Sequence, residues 1–323
     1  MLAFIAQRLA KAIVVLFAIV VLNFMLIRMA PGDPAVVMAG EAGASDQMFV
    51  NQLREKFGLD KPLPEQLFIY VKGIATLDLG FSFRQQAPVS QLIVERLPAT
   101  LLLTLTAFAI SLLLGILFGT LAARFAGTWL DTAVTIFSLI FYATPLFWVA
   151  LMAILLFSVT VDWLPSFGYE TVGANYTGLA HVLDVGAHLI LPATTIGLFF
   201  MATYSRMTRA SMLEVQRHDF VKTARAKGLR NAVIQRRHVL RNALLPVVTL
   251  AGLQAGTLVG GAVLTETVFA WPGIGRLMYE ALLQRDYNLL LGVFVVCSAM
   301  VLAFNLITDL IYRSVDPRIE FAS

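Results

Sequence analysis

Apolar positions in this chain fall in long unbroken runs separated by polar stretches, and the runs predict six membrane-crossing helices. They lie near residues 9–29, 97–122, 132–159, 189–206, 243–265 and 289–312. At about 1.5 Å of rise per helical residue, each can cross roughly 30 Å of hydrocarbon. The expected fold class is an all-α polytopic membrane protein. Between the first two runs the pattern changes. Phe49, Leu53 and Phe57 recur every four residues before Gly58, which is one apolar helical face closed by a glycine. Pro64 opens a second such face through Leu67, Tyr70, Val71, Ile74 and Leu77. Three divisions follow. Residues 1–29 hold the N-terminus and first span, 30–96 form a loop with short amphipathic helices, and 97–323 hold a five-helix core. The loop helices suit a structural lid and a docking surface equally.

Composition supports this reading. The 323 residues are 59% apolar and only 14% charged, which excludes an ordinary soluble domain. The single cysteine, Cys297, lies inside an apolar run and suits a packed thiol. Arg8 and Lys11 resemble the basic start of a signal peptide, and Ala42-Gly43-Ala44 resembles a cleavage site. The apolar stretch from Ile13 runs on to Met29, however, and the cleavage-like triplet lies too far downstream. An uncleaved first span is expected.

Charge placement sets the expected orientation. Residues 206–241 contain ten Lys or Arg against Glu214 and Asp219, whereas 160–188 contain none, only Asp162, Glu170 and Asp184. Short cytoplasmic loops accumulate Lys and Arg, so the basic loop 206–242 is expected inside, with both termini. The 30–96 loop then falls outside. Its six cations do not oppose this, because long loops obey the charge rule weakly.

The basic loop also carries a structural grammar. Asp219 is placed to cap a short helix over Phe220–Lys227. Gly228 fits the left-handed position that closes it. Asn231 is placed to cap a second helix through Val233, Ile234, Arg237 and Val239 toward Leu240. Ala224, Ala226 and Gly228 keep the elbow small, so another surface could approach closely. Any inside loop gathers cations, but the helix–glycine–helix pattern with alanines favours a docking element.

Other features are weaker. Gly252, Gly256 and Gly260 repeat every four residues, which lets two membrane helices approach closely. The close neighbour is either this chain or a partner. Gln254, with Thr249 and Thr257, gives the same run a polar surface suited to a hydrated pathway. Gly115 and Gly119 repeat the spacing and suit simple packing. After Glu266, the sequence Trp271-Pro272-Gly273 forces a bend among aromatics at a membrane interface. The chain has no G-x-x-x-x-G-K-[ST] phosphate loop and no HExxH motif. His181, His188, His218 and His238 are not at metal-ligand spacing, so no metal site is expected. Nothing points to a catalytic residue set or to nucleic acid.

The basic loop and several other motifs carry a specific resemblance. Residues 222–240 resemble the coupling loop, or EAA loop, of ABC importer permeases. That loop reads Glu-Ala-Ala, three residues, Gly, nine residues, then Ile-x-Leu-Pro. Lys222-Thr223-Ala224 stands for Glu-Ala-Ala, Gly228 for the glycine, His238 and Leu240 for Ile and Leu, and Arg241 for Pro. These departures match the dipeptide/oligopeptide (and nickel) branch, first-permease or B-type subunit, which reads TARAKGL and then RHxLRNALLP. This chain has TARAKGL at 223–229 and RHVLRNALLP at 237–246. PGDP at 31–34, FGLDKPLPEQ at 57–66, LDLGFSF at 77–83, RLPATLLLT at 96–104, ETVFAWPGIGRL at 266–277, RDY at 285–287 and DPRI at 316–319 extend the resemblance over nearly the whole chain.

The resemblance implies a type I ABC importer transmembrane-domain fold in a bacterial inner membrane. It implies no ATPase site and no cofactor in this chain, with ATP and Mg on two cytoplasmic ATP-binding subunits. The other implied partners are a homologous second permease, an external solute-binding protein and membrane lipid. ATPase coupling would fall to Lys222, Thr223, Ala224, Arg225, Ala226, Lys227 and Gly228, with His238 and Leu240 supporting the second helix. Gly252, Gly256, Gly260 and Gln254 would serve packing or the pathway. Glu266, Trp271, Pro272 and Gly273 would form an external gate loop. A stand-alone ion-coupled carrier is the alternative, and the lack of an internal repeat or a midplane charge speaks against it. Dipeptides, oligopeptides, glutathione, nickel complexes and opines are all compatible solutes, and the external binding protein is expected to choose among them.

Overall fold

The computed structural model describes residues 2–29, 34–41, 46–56, 60–82 and 84–315. The cleavage-like triplet 42–44, Phe57 and Gly58 lie outside them. Among the described residues the chain is helical apart from one minimal hairpin. Helix α1 (Leu2–Met29) is followed by α2 (Pro34–Glu41), α3 (Gln47–Lys56) and α4 (Leu63–Ala75). Strands β1 (Phe81–Ser82) and β2 (Ala87–Pro88) pair antiparallel, Phe81 opposite Pro88. Next come α5 (Val89–Arg124), α6 (Trp129–Ala143) and α7 (Leu146–Ala153), then a π-helical turn over Ile154–Thr160. Helix α8 (Leu179–Val215) leads to α9 (Asp219–Ala226), α10 (Asn231–Val233) and a second π-turn, Ile234–Leu240. The series ends with α11 (Arg241–Val268), α12 (Ile274–Gln284) and α13 (Tyr287–Val315).

The apolar runs became helices, with longer bounds than hydropathy alone marked. Helix α8 has 37 residues where the apolar run has 18, and α5 has 36. Each is about 55 Å long, so both extend well past the hydrocarbon. Four described helices are long and apolar enough to cross a membrane: α1, α5, α8 and α13. The third expected span is not one straight helix. α6 and its continuation from Leu146 to Thr160 meet at 104°. Pro145 has no backbone N–H and pushes its predecessor out of the helical region, and Thr144 is accordingly extended, at φ −84°, ψ 135°.

The chain divides into two compact units. The first comprises Met1–Thr100 and Pro272–Leu306. Within it, the Phe24 ring of α1 lies 5.9 Å from Tyr70 of α4. Val89 and Ile93 pack with Ile274, Leu277, Ala281, Leu289 and Val293. Asp286 holds the hairpin beside this core. Its carboxylate accepts from the Ser82 hydroxyl and from the Leu289 N–H (3.0 Å), so it also caps α13. Asn288 Nδ2 donates to the Phe81 carbonyl at 3.1 Å. The LDLGFSF and RDY motifs are thus two halves of one joint.

The second unit comprises Leu101–Trp271 and Ile307–Ser323. Helix α8 is its axis, with 61% of its apolar window buried. Small residues let its neighbours close in. A methyl group added at Gly119 would lie 2.5 Å from the Ser205 carbonyl, one at Gly115 2.5 Å from Tyr204 Cβ, and one at Gly197 2.6 Å from Ile110. The expectation of simple packing at Gly115 and Gly119 holds. Tyr204, Val247 and Ala251 form a core with Phe108, Leu112 and Ile116. Ala150, Ile154, Leu191 and Phe269 form another. Large residues such as Leu113, Val159 and Leu253 stay more than 60% exposed, which suits hydrocarbon or a partner helix rather than water.

Candidate functional site

The basic segment folds as a bent arm. Helix α9 buries one face only. Val221 and Ala224 enter a cluster with Ala123 at the end of α5, Met212 of α8, Ile234 and Val239 of the π-turn, and Ala243 of α11. Lys222, Thr223, Arg225, Ala226, Lys227 and Gly228 are exposed. The small size of Ala224 therefore serves packing within this chain, and Ala226 is the alanine left open at the elbow. Leu240 packs at the edge of the same cluster. His238 is half-buried, and its carbonyl accepts from Asn242 Nδ2 at 2.6 Å.

Gly228 closes α9 as expected. Its φ is +74°, a left-handed conformation that disfavours residues with a Cβ. The Leu229 N–H reaches the Ala224 carbonyl (3.3 Å) and the Gly228 N–H reaches that of Arg225 (2.9 Å), the two bonds of a Schellman stop. No heavy atom lies within 4 Å of where a Gly228 Cβ would sit, so the elbow is open.

Two expected caps are corrected. Asp219 is the first residue inside α9, and extended His218 (φ −67°, ψ 150°) takes the cap position without a side-chain bond. The Asp219 carboxylate instead accepts from Lys222 Nζ at 2.8 Å, which holds it below the usual carboxylate range. Asn231 likewise lies inside α10, with Arg230 preceding it as an extended residue. In both places the backbone turned one residue earlier than the side-chain preference suggested.

A part-buried ion pair joins α6 to α8, and the sequence offered no local sign of it. Arg209 of α8 donates from Nε and Nη2 to the two oxygens of Asp131 in α6, both at 2.7 Å. The Gly127 N–H donates to the same carboxylate at 3.0 Å. The Asp131 side chain is 8% exposed and that of Arg209 35%. One turn earlier, the Arg206 guanidinium sits 4.6 Å from the Tyr142 ring centre, a cation–π distance. Helices α6 and α8 are thereby clamped together.

The glycine stripe on α11 is partly explained. A methyl at Gly252 would lie 1.9 Å from Thr308 Cγ2, and Thr308 Oγ1 donates to the Gly252 carbonyl at 3.1 Å. Gly252 therefore serves contact with this chain's own α13. Gly256 is buried and Gln254 half-buried, and the surroundings of Gly260 lie outside the described residues.

The bend after α11 is tightly held. Glu266 and Trp271 are fully buried. The Trp271 N–H donates to the Glu266 carbonyl at 2.8 Å, across Ala270 at φ +51°. The Phe269 carbonyl accepts from the Gly168 N–H at 2.9 Å, and Tyr169 lies 4.9 Å from the Trp271 ring. Pro272 is half-buried and Gly273 buried. Instead of a plain turn, the chain enters α12, whose first N–H, at Ile274, donates to Thr100 Oγ1 at 2.7 Å. No group of three or more metal-ligating side chains occurs among the described residues.

The arm is thus packed on helix ends with one face left free. Residues 115–321 match the family model described as binding-protein-dependent transport system inner membrane component. Residues 1–104 match the corresponding N-terminal model. The chain is 42% identical over 336 residues to the di/tripeptide transport system permease protein DppB of Pseudomonas aeruginosa, covering 99% of both chains. It is 40% identical to the dipeptide transport system permease protein DppB of Escherichia coli K12, again over 99% of both. A putative peptide transport system permease protein of Brucella abortus is 40% identical over 99% of this chain and 100% of its own length. Among solved structures, the inward-facing MetNI methionine ABC transporter shares the fold, with a TM-score of 0.56 and 22% identity, over 70% of this chain and 97% of that one. The fold is thus that of ABC importer transmembrane domains, and the chain belongs to the family of binding-protein-dependent transport system inner membrane components.

Proposed function

We propose that this chain is the first-type permease subunit of an ATP-driven importer of dipeptides, oligopeptides or related small solutes. It lines half of the pathway, and a homologous permease lines the other half. Two cytoplasmic subunits bind and hydrolyse ATP with Mg, and an external binding protein delivers the solute. Residues 97–323 form the working core, with 1–29 and 30–96 as an added span and an external loop. The two family models, ending at 104 and starting at 115, support that division. Both termini and the 206–242 loop face the cytoplasm.

The observation that carries the reading is the two-faced α9. Its buried face, Val221 and Ala224, joins the ends of α5, α8 and α11 in one cluster, while Arg225 to Gly228 stay free. A push on the free face is delivered to three spans at once, because packed cores shift as units rather than deforming continuously. The Asp131–Arg209 clamp extends the unit to α6. Closure of the ATPases would move the elbow and turn the pathway from inward-facing to outward-facing. The bend at Glu266, Trp271, Pro272 and Gly273 serves as the external gate. The relatives' names support the peptide assignment.

The test is to purify the chain with its partner permease and ATPases and reconstitute the complex in proteoliposomes. Peptide-loaded binding protein should stimulate ATP hydrolysis and peptide uptake together. Uptake by this chain alone, without ATPases, would overturn the assignment.

A further inference from the structure

We propose that the groove formed by Ala232, Val233, Arg236, Arg237 and Arg241 is a binding site for the phosphate headgroup of an anionic membrane lipid. The groove encloses about 570 Å³. All five lining side chains are exposed. Ala232 and Arg236, and likewise Val233, Arg237 and Arg241, recur every four positions and so share one face of the helical stretch that leads into α11.

Gathering three guanidiniums is unfavourable by itself, since like charges one turn apart repel. No compensation appears. Among the described residues none of the three has an acidic partner, and the sequence contains no Asp or Glu between Asp219 and Glu266. An anion supplied from outside the chain resolves the imbalance. Guanidinium forks match phosphate oxygens in bidentate geometry.

Position selects a lipid phosphate. Arg241 is the first residue of α11, which covers the fifth apolar run expected to cross the membrane, so the cluster sits at the head of that run. On the same helix below it, Leu245 and Leu253 are exposed, at 40% and 64%. Cations at the head and apolar side chains beneath reproduce the order of a phospholipid, headgroup then acyl chain. The free elbow at Arg225–Gly228, which we assign to the ATPase, lies before the π-turn and is a separate surface. The proposal uses the orientation above only to place the groove at the cytoplasmic leaflet, where anionic lipid attracts basic segments.

The test uses the complete transporter in nanodiscs of phosphatidylethanolamine and phosphatidylcholine, with phosphatidylglycerol titrated in and bound lipid counted by native mass spectrometry. Wild type should retain phosphatidylglycerol saturably and in preference to the zwitterionic lipids. Each arginine contributes about fivefold in affinity, so Arg236→Gln/Arg237→Gln/Arg241→Gln should lose on the order of a hundredfold. The triple lysine variant, which keeps the charge, should retain most of the binding. If the triple glutamine variant does not assemble, Arg241→Gln alone should still lose about fivefold. Unchanged retention in an assembled variant overturns the proposal. Displacement of the lipid by equimolar inorganic phosphate would identify a free-anion site and overturn it equally. Loss of the ATPase subunits with lipid retention intact would reassign the groove to protein docking. None of these readouts depends on peptide transport, so they stand or fall separately from the assigned function.

Discussion

Replacing Gly228 separates elbow shape from span stability. At φ +74° a β-carbon costs about 1–2 kcal/mol through contact with the following carbonyl, and asparagine escapes much of this. No steric term adds to it, because nothing lies within 4 Å of the new Cβ. A valine therefore either holds the strained conformation or swings the elbow out and forfeits the Leu229–Ala224 and Gly228–Arg225 bonds, each worth about 1 kcal/mol. Both routes lie within the arm. The cores around Tyr204 and Ala150 do not include the arm, so the loss in thermal stability of the purified chain should not exceed about 1–2 kcal/mol. Coupling should differ. In the reconstituted complex, Gly228→Asn should keep binding-protein-stimulated ATP hydrolysis within about twofold of wild type. Gly228→Val should lower it about five- to thirtyfold, the equivalent of 1–2 kcal/mol. Full stimulation with Gly228→Val in a normally folded complex would refute the elbow's role.

Three further outcomes follow from packing and charge. Asp131→Asn leaves Arg209 with no carboxylate; because Arg209 is 35% exposed, the loss should be about 1–3 kcal/mol, below the 3–5 of a fully buried pair. In thermal melts, the reversed pair Asp131→Arg/Arg209→Asp should recover part of it, and strict additivity would show that the contact is not coupled. Gly252→Val drives a methyl into Thr308, 1.9 Å away; destabilisation of about 1–3 kcal/mol is expected, relieved by Thr308→Ala, and a neutral single variant would contradict the close approach of α11 and α13. Asp219→Asn tests an exposed pair. Its folded carboxylate sits below the usual range, so any stabilisation is present above about pH 4 and fades as pH falls through the folded value. With Asp219 93% and Lys222 67% exposed, the pair is well solvated, and melting curves of variant and wild type should coincide at neutral pH.

Hydropathy made the spans legible because crossing a bilayer requires long apolar runs whatever they pack against. The elbow was legible for a local reason, since a left-handed stop requires glycine at one position. Features set by distant partners left little trace. Asp131 and Arg209 lie 78 residues apart, and nothing near either marks the other. Helix α12 carries Ile274, Leu277, Met278 and Ala281 at helical spacing, all in one core, but the preceding Pro-Gly favoured a turn. The 104° bend at Pro145 was announced by the proline and hidden by unbroken hydrophobicity around it. Alanine spacing at the elbow was ambiguous in a way that packing resolves: Ala224 is small where four other helical elements converge on it, and Ala226 stays exposed.

The basic loop shows how one composition serves several purposes. Its ten cations were first read as a topological signal, which any arrangement would satisfy. The structure sorts them by what they touch. Arg209 is committed to Asp131, and Lys222 to Asp219. Arg225 and Lys227 flank the open elbow, and Arg236, Arg237 and Arg241 line one groove. A charge rule predicts the sum but not this division. The division depends on where the helices break and on which face each cation lies, and a count of charges encodes neither.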